Sequence, residues 1–183
     1  MQNTDSMMIH STTVLLVRRQ GKTVMASDGQ ITLQNTIVKG GASKVKRVGR
    51  GDVLVGFAGG AADGLALFTR FEAKLDEFQG NLDRAVIELA KDWRTDRVLR
   101  QLQAMMIIAD SRKSYLMSGN GDLIQPDDDG VLSIGSGSNF ALAAARALMR
   151  HTELDTRTLV TESMKIAAEI CIYTNDRLTV KEL

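Results

Sequence analysis

Strand-forming and helix-forming stretches occupy separate blocks of this chain, and that order limits its folds more than any other property. Extended patterns fill the first third. Two helical patterns follow, extended patterns return at Ala104, and two more helical patterns precede the C-terminus. Strands alternating one by one with helices would make a parallel sheet, whereas blocks of each make antiparallel sheets covered on one face. Two such half-units pack most simply sheet against sheet. The expected fold is therefore α+β, a four-layer αββα sandwich of two antiparallel sheets between helix layers. With 183 residues the chain fits one domain, able to bury roughly 70% of its unfolded surface.

The individual patterns are specific. Residues 12–19 read as a strand whose inner part, Val14 to Val17, is apolar without alternation, as in a strand covered on both faces. A hairpin through Gln20-Gly21-Lys22 leads to a second strand, 23–26, which ends at Ser27-Asp28-Gly29. Strands at 44–48 and 53–58 flank the turn Gly49-Arg50-Gly51-Asp52. Leu65, Phe68, Phe71, Leu75 and Phe78 have helical spacing over 61–78 and Gly80 ends the run; a second helix is expected over 82–102. Strands return at 104–109, 114–117 and 131–134, with a turn at Gly119-Asn120-Gly121-Asp122 and a loop opened by Pro126. Ser138 is placed to cap a helix over 139–150 and Asp155 to cap one over 156–173, after which the chain runs out extended. The polar leader, residues 1–11, is expected to be unstructured.

Because the first strand is buried on both faces, its leading end should emerge where the sheets meet, a natural cleft. Thr12 stands at that end. A threonine hydroxyl is a poor nucleophile at neutral pH and needs a base beside it. The only histidines are His10 in the leader and His151 at a helix end, which leaves little for a Ser-His-Asp or Cys-His arrangement. With one cysteine there is no clustered zinc site and no intrachain disulfide. Gly21-Lys22-Thr23 lacks the upstream glycine of a P-loop, and Gly135-Ser136-Gly137 has Phe140 where a dinucleotide fingerprint needs glycine. A net charge of +1 and a basic cluster, Lys44, Lys46, Arg47 and Arg50, without interleaved aromatics, argue against a nucleic-acid partner. No run approaches the ~20 apolar residues of a membrane span and the N-terminus is no secretory signal, so a cytoplasmic location is expected.

A base remains if Met1 to Ser11 is cut away, because Thr12 then carries a free α-amine. Its ordinary pKa is near ~8 against ~10.4 for lysine, so the amine is the better base at neutral pH. A charged Lys44, held by Asp28, would favour both the neutral amine and the ionised hydroxyl. Gly56, within a strand, offers a backbone N–H for an oxyanion, and Ser136 a hydroxyl to orient the amine. Each of these residues also has an ordinary structural reading: a β-former, a surface pair, a bulge.

Thr12-Thr13-Val14 with Arg18-Arg19, Asp28-Gly29-Gln30, Lys44, Gly56-Phe57-Ala58-Gly59-Gly60, Lys91-Asp92-Trp93-Arg94-Thr95-Asp96-Arg97, Gly119-Asn120-Gly121-Asp122, Ile134-Gly135-Ser136-Gly137 and Ile170-Cys171-Ile172-Tyr173-Thr174-Asn175 resemble the HslV (ClpQ) family, bacterial relatives of the proteasome β-subunit. The resemblance runs from Thr12 to the C-terminus. It implies an N-terminal-nucleophile hydrolase, a threonine-type endopeptidase with the αββα fold, assembled as a double hexameric ring, a dodecamer. It also implies an AAA+ unfoldase partner, HslU (ClpY), that supplies ATP hydrolysis and unfolded protein substrates. The roles carried over are Thr12 as nucleophile, Lys44 and Asp28 tuning it, Ser136 assisting and Gly56 supplying the oxyanion N–H. A monovalent cation, usually sodium, is implied at the backbone carbonyls of Ala168, Cys171 and Thr174.

Ser11 stands where many of these relatives have glycine before the nucleophile, Ser27 replaces a glycine beside Asp28, and Ala168 replaces a glycine at the first cation position. Scission one bond later would expose Thr13 instead, on the opposite sheet face. A small-molecule amidase of the same mechanism and a non-catalytic ring subunit that keeps its leader are the alternative readings.

Overall fold

The computed structural model describes residues 9–10, 12–102, 104–119 and 121–183. Its elements in chain order are β1 (Ile9–His10), β2 (Thr13–Arg19), β3 (Lys22–Ser27), β4 (Ile31–Leu33), β5 (Thr36–Lys39), β6 (Val45–Val48), β7 (Val53–Gly59), α1 (Ala61–Glu77), α2 (Leu82–Thr95), β8 (Ala104–Ala109), β9 (Ser114–Met117), β10 (Leu123–Ile124), β11 (Val131–Gly135), α3 (Ser138–His151), α4 (Thr156–Ile170) and β12 (Thr179–Glu182). A four-stranded sheet has the order β11-β2-β3-β12, a five-stranded sheet β10-β9-β8-β7-β6, and a small sheet β1-β4-β5; every pairing is antiparallel.

Side-chain alternation along the strands builds the four layers. On β2, Leu15 and Val17 join Val24 and Ala26 of β3 against Ala141 and Ala145 of α3 and Leu159, Val160 and Met164 of α4. Their neighbours Val14 and Leu16, with Met25, turn the other way and meet Val45, Leu54 and Ile107 of the five-stranded sheet. That sheet gives its outer face, Val53, Val55, Met106 and Ile108, to Phe71 and Leu75 of α1 and Leu89 and Trp93 of α2. Both faces of β2 are therefore buried, as the unbroken apolar run required, and each such aliphatic side chain contributes about 1.5–3 kcal/mol by leaving water. Asp155 caps α4 by accepting from the Arg157 and Thr158 amides.

Several boundaries differ from expectation. The second helix stops at Thr95 because the Asp96 carboxylate accepts from the Val98 and Leu99 amides, a local turn that competes with further helix. The helix after β11 begins at Ser138 itself, with Gly137 as its N-cap and no side-chain cap. The last helix ends at Ile170, not Tyr173, with Cys171 as C-cap. The β4–β5 hairpin had no clear signal: all of Thr36–Lys39 is exposed and the register shifts at Ile31/Thr32. The C-terminal segment is extended, as expected, and forms the edge strand on β3. Ile9–His10 of the leader is a strand on β4 instead of unstructured chain, while residues 1–8 and 11 lie outside the described residues.

Candidate active site

The two sheets meet around the start of β2, and the buried polar groups collect there. Thr12, Thr13, Ser27, Asp28, Gln30, Lys44 and Thr174 are all buried. Thr13 continues the β2–β3 ladder beyond the Val14–Ser27 pair: the Asp28 amide donates to the Thr13 carbonyl at 3.1 Å. In return the Asp28 carboxylate accepts the Thr13 amide at 2.7 Å on Oδ1. The same oxygen accepts Lys44 Nζ at 3.1 Å, and Oδ2 accepts the Gln30 amide at 2.9 Å. A buried carboxylate is tolerated when it is paired and hydrogen-bonded in this way. Lys44 Nζ also donates to the Gln30 carbonyl at 2.5 Å. Burial pushes the Lys44 ammonium below its ordinary pKa of 10.5, and the charge and hydrogen bond of Asp28 oppose that shift.

Thr12 has φ +103, a conformation that a β-branched residue rarely adopts and that costs of order 1–3 kcal/mol. Its carbonyl accepts the Ser136 amide at 2.9 Å. Gly135 has φ +96, and a Cβ on it would lie 1.9 Å from the Thr12 oxygen, so only glycine permits this approach. Ser136 is thus brought beside Thr12 through its backbone, with its side chain exposed. The Thr13 hydroxyl is engaged on the helix side, accepting the Gly137 amide at 2.8 Å and sharing a hydrogen bond of 2.8 Å with the Thr174 hydroxyl. The Ser27 hydroxyl is buried with no hydrogen-bond partner among the described residues, the one polar atom here that its surroundings leave unsatisfied.

Gly56 joins this group differently from the role expected of it. It pairs with Val45 on one side and Ile107 on the other, in the middle of the sheet. The Phe57 amide donates to the Lys44 carbonyl, so Phe57 faces β6. Successive strand amides point to opposite neighbours, which turns the Gly56 N–H toward β8 and away from Lys44. The reason for glycine is space: a Cβ would lie 2.7 Å from Val14 Cγ1 and 2.9 Å from Met25 Sδ. Gly56→Ala keeps the N–H but overpacks this seam, so it is expected to cost about 1–3 kcal/mol, lowering Tm by about 2–4 °C per kcal/mol in a thermal melt. An unchanged Tm would remove the packing explanation. The same alternation turns the Gly59 N–H to the β6 side, beyond the first residue of β6, where φ +124 ends the strand.

Around this centre lies a shell of residues to which the sequence assigned no role. Gln30 Nε2 donates to the Thr32 hydroxyl and to the Ile172 carbonyl, and Asn175 binds near Gly29 and Gly40. Apart from the local contact to Thr32, only hydrogen bonds across long sequence separations reveal these partners. Of the three expected cation donors, Cys171 accepts the Thr174 amide at 3.0 Å in a tight turn, and Ala168 lies in the last turn of α4, where carbonyls lack downstream helical amides. Ala168 and Thr174 line one cavity of about 370 Å³ together with Lys165, Glu169, Asn175 and Asp176. Cys171 is buried, and His151 is exposed at the end of α3. Among the described residues no cluster of acidic, histidine and cysteine side chains could hold a metal, and no helix is long and apolar enough to cross a membrane.

A family model described as "Proteasome subunit" matches residues 8–183. The chain is 58% identical over 173 residues to the ATP-dependent protease subunit HslV of Pseudothermotoga lettingae, covering 94% of this chain and 98% of that protein. It is equally similar, at 58% over the same length and shares, to the HslV subunit of Thermosipho africanus. The crystal structure of eukaryotic HslV from Trypanosoma brucei superposes with a TM-score of 0.89 at 40% identity, covering 93% of this chain and 98% of that one. Thiobacillus denitrificans BPH in complex with epoxomicin, at 23% identity and a TM-score of 0.76 over 93% and 97% of the two chains, shares the fold. The αββα layering, the site at the sheet junction and these matches agree: the chain belongs to the proteasome subunit family, on its branch of HslV-type proteolytic subunits of ATP-dependent proteases.

Proposed function

We propose that this chain is a threonine endopeptidase whose nucleophile is the Thr12 hydroxyl and whose base is the Thr12 α-amine, released when the Ser11–Thr12 bond is cut. The observation that carries the reading is the buried Asp28 oxygen that receives both Lys44 Nζ and the amide of Thr13, the residue after Thr12. A cation held there lowers the pKa of the neighbouring hydroxyl and amine. The engaged hydroxyl of Thr13 favours Thr12 over the alternative cut. The strained φ of Thr12 supports scission at the preceding bond, since cleavage frees that residue from the constraint.

In this mechanism Thr12 Oγ1 attacks the scissile carbonyl while its proton passes to the α-amine. The developing oxyanion takes a hydrogen bond from a backbone N–H, and the strand alternation favours Gly59 over Gly56 for that task. The ammonium returns the proton to the leaving amine, leaving an ester on Thr12. Water, deprotonated by the same amine, then hydrolyses the ester. Ser136, held at the Thr12 carbonyl, orients the residue.

The leader strand supports a route for substrate. Ile9 faces Leu33 and His10 faces Thr32, so the chain entering the scissile bond runs antiparallel to β4, and an unfolded polypeptide would add its own strand in the same way. The carbonyls of Ala168, Cys171 and Thr174 suit a monovalent cation such as sodium, which would rigidify the loop behind the site. Assembly into rings is supported by the similarity to HslV subunits. ATP would be spent by a separate unfoldase ring, since this chain carries no P-loop.

Intact mass of the assembled protein tests the central step. Loss of residues 1–11 is the expected result. A persistent leader on fully assembled protein would favour a non-catalytic ring subunit, a reading to which the docked β1 strand lends its support.

A further inference from the structure

One side chain closes a ring of hydrogen bonds between the segment that carries Asp28 and the segment that leads to Lys44. Gly29, next to Asp28, accepts the Ala42 amide at 2.9 Å on its carbonyl. Its own amide donates to Asn175 Oδ1 at 3.0 Å, and Asn175 Nδ2 donates to the Gly40 carbonyl at 3.0 Å. The Arg177 amide also reaches Oδ1, at 3.3 Å. Two amides on one side and a carbonyl on the other fix which end of the Asn175 amide is oxygen. The ring leaves no slack, because a Cβ on Gly29 would lie 2.6 Å from the Gly40 oxygen.

We propose that Asn175 is a positioning residue for the reaction: by joining Gly29 to Gly40 it sets how Lys44 meets Asp28 behind Thr12. It touches neither substrate nor nucleophile. Its effect is transmitted because Asp28 is one residue from Gly29 and Lys44 is two residues from Ala42, so a shift of either arm changes the 3.1 Å pair. The neighbouring Thr174, through its hydroxyl on Thr13, and Ile172, through its carbonyl on Gln30, anchor the same loop to the start of β2 and to the segment after Asp28. The loop after α4 is thereby built into the site from behind. This inference rests on the Thr12 reading above.

The test uses the full chain, assembled and with its leader removed, hydrolysing a small fluorogenic peptide. Asn175→Ala deletes both arms of the clamp, and Asn175→Asp keeps the acceptor for Gly29 while losing the donor to Gly40. Both are expected to lower kcat about tenfold with KM within about twofold, after normalising to assembled sites. Asn175→Asp should also move the acid limb of the pH–rate profile upward, because added negative charge favours the protonated amine. If Asn175→Ala does not assemble, the near-isosteric Asn175→Asp carries the same test. An unchanged pH profile with activity lost only in proportion to assembly would overturn the positioning role. A Thr12→Ala control separates the two ideas: an active Thr12→Ala enzyme refutes the nucleophile, whereas an inactive one beside unperturbed Asn175 variants refutes only the clamp.

Discussion

Thr12→Ala is expected to yield a chain that keeps its leader and hydrolyses peptide at least about 10³-fold more slowly than the parent. Alanine removes the proposed nucleophilic hydroxyl, on the C-terminal side of the scissile Ser11–Thr12 bond, while leaving the strand that follows it untouched. Both events depend on that oxygen, so both should fail together: the Ser11–Thr12 bond stays intact in a mass spectrum, and an unfolded protein survives incubation with the unfoldase and ATP. The fold should be preserved, because Thr12 contributes its carbonyl to Ser136 and alanine retains that carbonyl. Alanine lacks the β-branch that makes a φ of +103 most costly, so any loss of Tm should be small. Leader removal in this variant would sink the autocatalytic reading, and proteolysis by it would sink the nucleophile.

Lys44→Met has the second large effect, and it strikes stability as well as activity. Methionine fills the aliphatic volume but leaves the fully buried Asp28 carboxylate without its cation, a loss worth about 3–5 kcal/mol when one partner of a buried pair is removed. Leader scission and peptide hydrolysis should both become undetectable against the parent, and the thermal melt should fall well below that of Gly56→Ala. In the parent, burial lowers the Lys44 pKa, so the ammonium is lost at a pH below the ordinary 10.5. The alkaline limb of kcat/KM should accordingly fall below 10.5, and raising salt should move it little, since a buried pair is screened weakly. A Lys44→Met protein that processes its leader normally would show that Lys44 is only a structural counter-ion.

The layers of the fold were readable because they follow from side-chain period. The unbroken Val14 to Val17 run could only suit a strand covered twice, and the structure covers it with α3 and α4 on one face and the second sheet on the other. Helix ends were less readable where a side chain competes with the helix, as Asp96 does after α2, or where the chain turns to serve another element, as Cys171 does after α4. The β4–β5 hairpin escaped because its second strand is exposed and leaves no periodic signature.

The site divides in the same way. Thr12, Asp28, Lys44 and Ser136 were legible as residue types that a threonine nucleophile needs, and they do gather at the head of β2. Gly56 was legible as a glycine out of place in a strand, but its reason is the close approach of Val14 and Met25 from the facing sheet. The sequence alone determined the alternating apolar patterns, and through them which faces are buried and how many layers result, because burial of apolar surface depends on local period. Only the tertiary structure decided which amide faces which neighbour, that one Asp28 oxygen serves both Thr13 and Lys44, and that Asn175 bridges Gly29 and Gly40. Hydrogen bonds act over about 3 Å and here join residues from 15 to 146 positions apart, so their geometry exists only once the sheets have packed.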